Sequence, residues 1–134
     1  LKLKEISEII LDYFKDKSID AVYLFGSTAR NEVREESDID IAIVGSCDLM
    51  KLLGFKSDLE EKLKKNVDLV DFNKVDTSFQ GEIVSTGVAI YVKDNKFLEE
   101  LEMKILSMYL TLEEDREIVF KEILLRGSVF DWKE

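Results

Sequence analysis

Leu24-Phe25-Gly26-Ser27-Thr28-Ala29-Arg30-Asn31-Glu32-Val33-Arg34-Glu35-Glu36-Ser37-Asp38-Ile39-Asp40-Ile41-Ala42-Ile43-Val44 is the stretch that decides the fold. An apolar run enters a Gly-Ser pair. Ten residues later a second run alternates Asp-Ile-Asp-Ile-Ala-Ile-Val, the period of two expected of a strand with two unlike faces. A turn able to hold phosphate beside two carboxylates suggests phosphoryl or nucleotidyl transfer. Little else here can do chemistry, because the chain has no histidine and one cysteine, Cys47.

Working outward, residues 3–17 place Leu3, Ile6, Ile9, Ile10, Tyr13 and Phe14 at helical spacing. Residues 19–25 read as the first strand, ended by Gly26-Ser27, with a short helix expected over 28–34. Asp48 is a good N-cap for a helix over 49–65 that carries Leu49, Leu52, Leu53, Leu59 and Leu63 as its apolar positions. Residues 67–72 read as a third strand, 77–86 as a short helix stopped by Gly87, and 88–92 as a fourth strand. Residues 95–126 are helical in pattern, with a break expected near Thr111, where Thr111-Leu112-Glu113-Glu114 fits a capping box. This alternation predicts an α/β (α+β) fold, a small sheet flanked by helices with C-terminal helices. At 134 residues one domain is expected, 1–134, with a catalytic core over 1–94 and a helical extension over 95–134.

On a strand, residues i and i+2 share a face about 6–7 Å apart, so Asp38 and Asp40 can converge on the same ions. Hard oxygen ligands of this kind suit Mg²⁺, which also offsets the repulsion between the two acids. Gly26 lets the backbone approach a ligand closely, and Ser27 offers a hydroxyl and an amide to phosphate oxygen. This is not a Walker A loop, since no Gly-Lys-Ser/Thr follows. Arg30 is placed to hold non-transferring phosphate oxygens. Arg34 could do the same or pair with a nearby Glu, and Ser37 could support the turn into the second strand. Asp68 and Asp71 are three apart and point to opposite faces, so only one can join the pair. A strand that buries Val67 and Leu69 favours Asp68, with Asp71 as the alternative.

The formal net charge of −10 argues against direct nucleic-acid binding and favours a basic protein partner. It also means that a nucleotide triphosphate needs cations or backbone dipoles to bind. A single cysteine cannot form an internal disulfide, which suits a reducing, cytoplasmic setting. No apolar run approaches a membrane span, and Leu1-Lys2-Leu3-Lys4-Glu5 does not read as a signal peptide.

Gly26-Ser27-x10-Asp38-x-Asp40, with Val67-Asp68-Leu69-Val70 downstream, resembles the signature of the DNA polymerase β-like nucleotidyltransferase superfamily. The small size, the helix before the first strand and the Glu102–Leu110 helix resemble a subgroup more closely. These are the minimal nucleotidyltransferases, antitoxins of HEPN/MNT toxin–antitoxin pairs. The resemblance implies a small mixed sheet flanked by helices and transfer of AMP from ATP with release of pyrophosphate. It implies Asp38, Asp40 and Asp68 as catalytic carboxylates on two Mg²⁺ ions, Gly26-Ser27 as the phosphate turn and Arg30 as the family's basic residue. The acceptor it implies is a tyrosine of the HEPN ribonuclease toxin. Many members carry Gly after the Ala-Arg pair where this chain has Asn31, a residue that tolerates left-handed dihedrals.

Two rivals stand beside this reading. One is a nucleotidyltransferase acting on a small molecule, such as an aminoglycoside, or on an RNA end, although such enzymes usually carry an extra substrate domain. The other is an antitoxin that neutralises a basic toxin by binding alone. Most apolar positions of 95–126 read as packing on the sheet, while Val129, Phe130 and Trp132 are the better candidates for a homo- or hetero-oligomer contact.

Overall fold

The computed structural model describes residues 2–30 and 38–112. Helix α1 (Leu3–Phe14) opens with the Lys2 amide donating to Glu5 Oε1 at 3.1 Å and buries Ile6, Ile10, Tyr13 and Phe14. Strand β1 (Ala21–Leu24) follows, then a four-residue helix α2 (Gly26–Ala29) and strand β2 (Ile39–Val44). Helix α3 (Leu49–Leu63) is capped by Asp48, whose carboxylate accepts from the Lys51 amide at 2.8 Å. It ends in Lys64 with a left-handed φ of 58°. Strand β3 (Val67–Asp71) runs into a 3₁₀ turn over Phe72–Lys74. Helix α4 (Thr77–Thr86), capped by Asp76, strand β4 (Val88–Val92) and helix α5 (Asn95–Leu112) complete the order.

The sheet is mixed, in the order β3-β2-β1-β4. β1 is antiparallel to both β2 and β4, and β2 is parallel to β3. A parallel pair needs a crossover, and α3 supplies it. Two cores lie on opposite faces. Ile39, Ile41 and Ile43 of β2 join Val67 and Leu69 of β3 in the core under α1 and α3. Ala42 and Val44 join Tyr23, Phe72, Ile83, Val84, Leu98 and Ile105 in the core under α4 and α5. Period two in β2 thus sorts its isoleucines to one side and its even-numbered residues to the other.

Several sequence expectations shift. The short helix lies over 26–29 rather than starting at 28, because the left-handed Gly26 turns the chain straight out of β1. β1 is shorter than 19–25 at both ends, and Phe72 leaves β3 for the 3₁₀ turn that Asp71 caps. Leu49 and Leu53 are exposed, while Leu52, Phe55, Leu59 and Leu63 carry the packing, since Leu49 and Leu53, four apart, sit on a flank turned aside from the face the other four form. Gly87 does stop α4, but with φ of −84°. Its need is space: a Cβ there would meet the Ile83 carbonyl oxygen at 2.4 Å and that of Leu24 at 2.8 Å. α5 runs through Thr111 to Leu112. Asn31, Arg34, Ser37, the continuation of the helical tail and Val129, Phe130 and Trp132 lie outside the described residues. Among the described residues no helix is long and apolar enough to cross a membrane.

Candidate functional site

Where β1 ends, the chain must leave the sheet while β2 starts beside it. Antiparallel register puts Phe25 opposite Asp40, and the Phe25 amide donates to the Asp40 carbonyl at 3.1 Å. The Phe25 carbonyl accepts instead from the Ala29 amide at 3.4 Å, which starts α2. Gly26, at φ of +62°, makes the change of direction. The amides of Gly26 and Ser27 therefore open the first turn of α2, ahead of its first intrahelical bond.

This turn sits directly against the carboxylate of Asp40. A Cβ on Gly26 would lie 2.5 Å from Asp40 Oδ2, so only glycine lets backbone and carboxylate come so close. In the parallel ladder Asp40 is the register partner of Asp68, with Ile39 opposite Val67. Register partners on adjacent strands are about 5 Å apart and point to the same face. Val67 and Leu69 go into the α1/α3 core, so Asp68 is exposed on the other face beside Asp40. Asp38 lies two residues ahead of Asp40, exposed, just before β2 begins.

The electrostatics agree with this placement. The Asp40 carboxyl is pushed above the usual carboxylate range, first by burial, then by the charges of Asp68 and Asp38, with Arg30 pulling the other way. Asp68, Asp38 and Arg30 therefore all act on the Asp40 carboxyl. Arg30 caps α2 and is exposed. Asp71 is excluded from the cluster. It is only 7% exposed, and its carboxylate accepts the Asn73 amide at 3.1 Å, which shapes the 3₁₀ turn.

The donor set fits a hard divalent cation. It offers carboxylate oxygens on one sheet face, the innermost with its pKa raised by burial and then by its acidic neighbours, beside the Gly26-Ser27 turn. Among the described residues no three such side chains already stand as a closed metal cage. A site shared with a nucleotide needs only one or two carboxylates per ion, with phosphate and water filling the rest.

Thr28 was not evident from the sequence. Its side chain is completely buried, and its hydroxyl oxygen accepts the Asp40 amide at 3.1 Å. The only signal was a hydroxyl residue two positions beyond Gly26, which many turns share. Phe25 and Phe79 add an edge-to-face ring pair, 5.6 Å between centroids, that ties the start of α2 to α4. A separate surface cleft between α1 and α3, lined by Asp12, Asp16, Asp58, Glu61 and Lys62 among others, lies across the sheet from these groups.

The family described as polymerase beta, nucleotidyltransferase, matches residues 8–96. A Methanocaldococcus jannaschii protein, provisionally named a protein adenylyltransferase, is 32% identical over 92 residues, covering 67% of this chain and 99% of that protein. The protein adenylyltransferase MntA of Shewanella oneidensis is 28% identical over 105 residues, covering 77% of this chain and 75% of that protein. Among solved structures, a toxin–antitoxin crystal structure with AMP-PNP superposes with a TM-score of 0.68 at 26% identity, covering 90% of this chain and 98% of that one.

Proposed function

Because the chain belongs to the polymerase β nucleotidyltransferase family, we propose that it is a Mg²⁺-dependent protein adenylyltransferase and the antitoxin of a HEPN/MNT pair. In this reading it moves AMP from ATP to a tyrosine hydroxyl of its cognate HEPN ribonuclease toxin. The observation that carries the chemistry is the in-register pair Asp40 and Asp68, with the Gly26 backbone closed against the Asp40 carboxylate. The similarity to a protein adenylyltransferase and to a toxin–antitoxin structure with AMP-PNP supports the acceptor class and the nucleotide.

Asp38 and Asp40 would hold two Mg²⁺ ions, with Asp68 sharing the ion nearest the acceptor. Bound Mg²⁺ supplies Lewis-acid polarisation of the α-phosphate and neutralises charge on the leaving group. The chain's own groups do the rest. The Gly26 and Ser27 amides and the Ser27 hydroxyl hold phosphate oxygens, and Arg30 steadies those that are not transferred. The acceptor oxygen forms a bond to the α-phosphorus while the bond to the bridging oxygen breaks. Pyrophosphate departs, and the acceptor proton passes to Asp68 and then to solvent. Most of the acceleration comes from positioning and charge neutralisation. The cations also let a protein of charge −10 hold a polyanion.

Incubation with ATP, Mg²⁺ and the product of the neighbouring gene, followed by intact-mass analysis, tests this. One or more AMP units should appear on the partner. Asp38→Asn combined with Asp40→Asn should lower the rate by at least about a hundredfold, since even groups that only support metal ligands are worth 10–100-fold. Undiminished transfer by that variant refutes the site. Neutralisation that persists without ATP and in the variant identifies the binding-only antitoxin, a reading that the net charge of −10 favours.

A further inference from the structure

The ladder between β1 and β2 contains a substitution of partners. Antiparallel residues at a hydrogen-bonded position exchange two bonds, amide to carbonyl in both directions. Phe25 and Asp40 complete only one of these, Phe25 amide to Asp40 carbonyl at 3.1 Å. The return bond is not formed because the Phe25 carbonyl is taken by the Ala29 amide, which begins α2. The Asp40 amide goes instead to Thr28 Oγ1 at 3.1 Å. Thr28 is 0% exposed, so its hydroxyl competes with no water for that amide. A side chain in α2 thus closes the sheet ladder at the one residue of β2 whose carboxylate touches the Gly26 turn.

We propose that Thr28 is a positioning residue: its buried hydroxyl stands in for the missing strand carbonyl and locks the Asp40 backbone to α2. This fixes the distance between the carboxylate and the phosphate turn. The inference deepens the nucleotidyl-transfer reading and rests on it for its kinetic consequence. Its structural consequence stands without it. Two contacts then hold one geometry: the bare Gly26 sets how closely turn and carboxylate approach, and the Thr28 hydroxyl sets the height of Asp40 along the turn. Loss of the hydroxyl leaves the Asp40 amide buried without its acceptor, and the start of β2 must shift to find another.

The test compares wild type, Thr28→Val and Thr28→Ser. Valine keeps the shape and removes the hydroxyl; serine keeps the hydroxyl and removes the methyl. In the metal-free protein, hydrogen exchange at the Asp40 amide should quicken by about tenfold or more in Thr28→Val, because exchange follows local opening. The Ile41 and Ile43 amides should stay protected, and Thr28→Ser should match wild type. In the AMP-transfer assay Thr28→Val should lose about tenfold in kcat with KM for ATP nearly unchanged, since displacement by a fraction of an ångström costs rate more than binding. Thr28→Ser should restore it. A Thr28→Val protein that is folded, protected at Asp40 and full in kcat overturns the proposal. If wild type transfers no AMP, the nucleotidyl-transfer reading fails, while the exchange data still decide the role of Thr28.

Discussion

Apart from Asp71 at the end of β3, one face of the sheet is an apolar seam, and the other carries the crowded strand acids Asp40 and Asp68. Under α1 and α3, β2 and β3 contribute Ile39, Ile41, Ile43, Val67 and Leu69. Under α4 and α5, the same strands contribute Asp40, Asp68, Ala42 and Val70, and β1 contributes Tyr23, hydrogen-bonded to the fully buried Glu102. The polypeptide is the same, and alternation alone separates the two. The first face can be optimised for packing because the second carries the cost of like charges. Removing side chains from the first should therefore change stability and leave turnover per folded molecule intact. Changes to the second should do the reverse near the start of β2.

The largest expected effect lies on the dry face. Leu59 of α3 is 0% exposed in that core. Leu59→Ala should cost about 2–5 kcal/mol of unfolding free energy. Urea denaturation gives the stability, and the AMP-transfer rate corrected for folded fraction should stay near wild type. A large fall in corrected rate breaks the division between faces.

Gly26→Ala is the counterpart on the working face. The new Cβ would lie 2.5 Å from Asp40 Oδ2 in a backbone at φ of +62°, so the carboxylate must move aside. An ångström of misplacement is worth about a hundredfold in rate, and that is the loss expected in kcat. The stability cost should be smaller, about 1–2 kcal/mol for the left-handed backbone.

Tyr23→Phe sharpens the comparison further from the turn. Tyr23 is 1% exposed, its ring stacks on Phe72, and its hydroxyl donates to Glu102. Phenylalanine keeps the ring and takes one donor from a buried carboxylate, at about 1–3 kcal/mol. Because the pair joins β1 to α5 rather than to the Gly26 turn, kcat should hardly change. Differential scanning calorimetry beside the transfer assay checks both halves.

How much of this was legible follows from what each element depends on. Strand β2 announced itself, since its alternation encodes both faces at once. Asp68 over Asp71 followed from the same counting, and the structure adds that Asp71 has a separate task as the cap of a 3₁₀ turn. The boundaries of α2 were not legible, because four residues are too few for periodicity and the left-handed Gly26 could only be seen in place. Thr28 was hidden for a related reason. Its value comes from a carbonyl that β1 gives up to α2, a fact about two elements meeting. Glu102 looked like any polar position in a helix, and its burial depends on Tyr23, 79 residues away. Leu49 and Leu53 were apolar at helical spacing, yet they sit on the flank of α3 beside the face that Leu52, Phe55, Leu59 and Leu63 turn to the core.

The smallest effect is a pH dependence confined to the working face. Burial, Asp68 and Asp38 raise the Asp40 pKa in the folded protein above its unfolded value of about 3.9. Between those two values the native state binds more protons than the unfolded chain. The slope of unfolding free energy with pH, set by protons bound unfolded minus protons bound native, is therefore negative. Metal-free protein should lose this contribution as pH rises from about 4 through the folded pKa and then stay level. Asp40→Asn removes the titrating group, so its melting temperature in EDTA should lack that decline and exceed wild type at neutral pH. Divalent cation should reverse the order, because it binds the deprotonated carboxylate and stabilises wild type by mass action. Thermal melts of both proteins across pH, with EDTA and with Mg²⁺, give the four curves. If the metal-free curves run parallel, Asp40 is not the strained group, and the charge cost of the working face lies elsewhere. If they diverge as expected and Mg²⁺ inverts them, the face that carries the proposed site is the one that gives up stability for it.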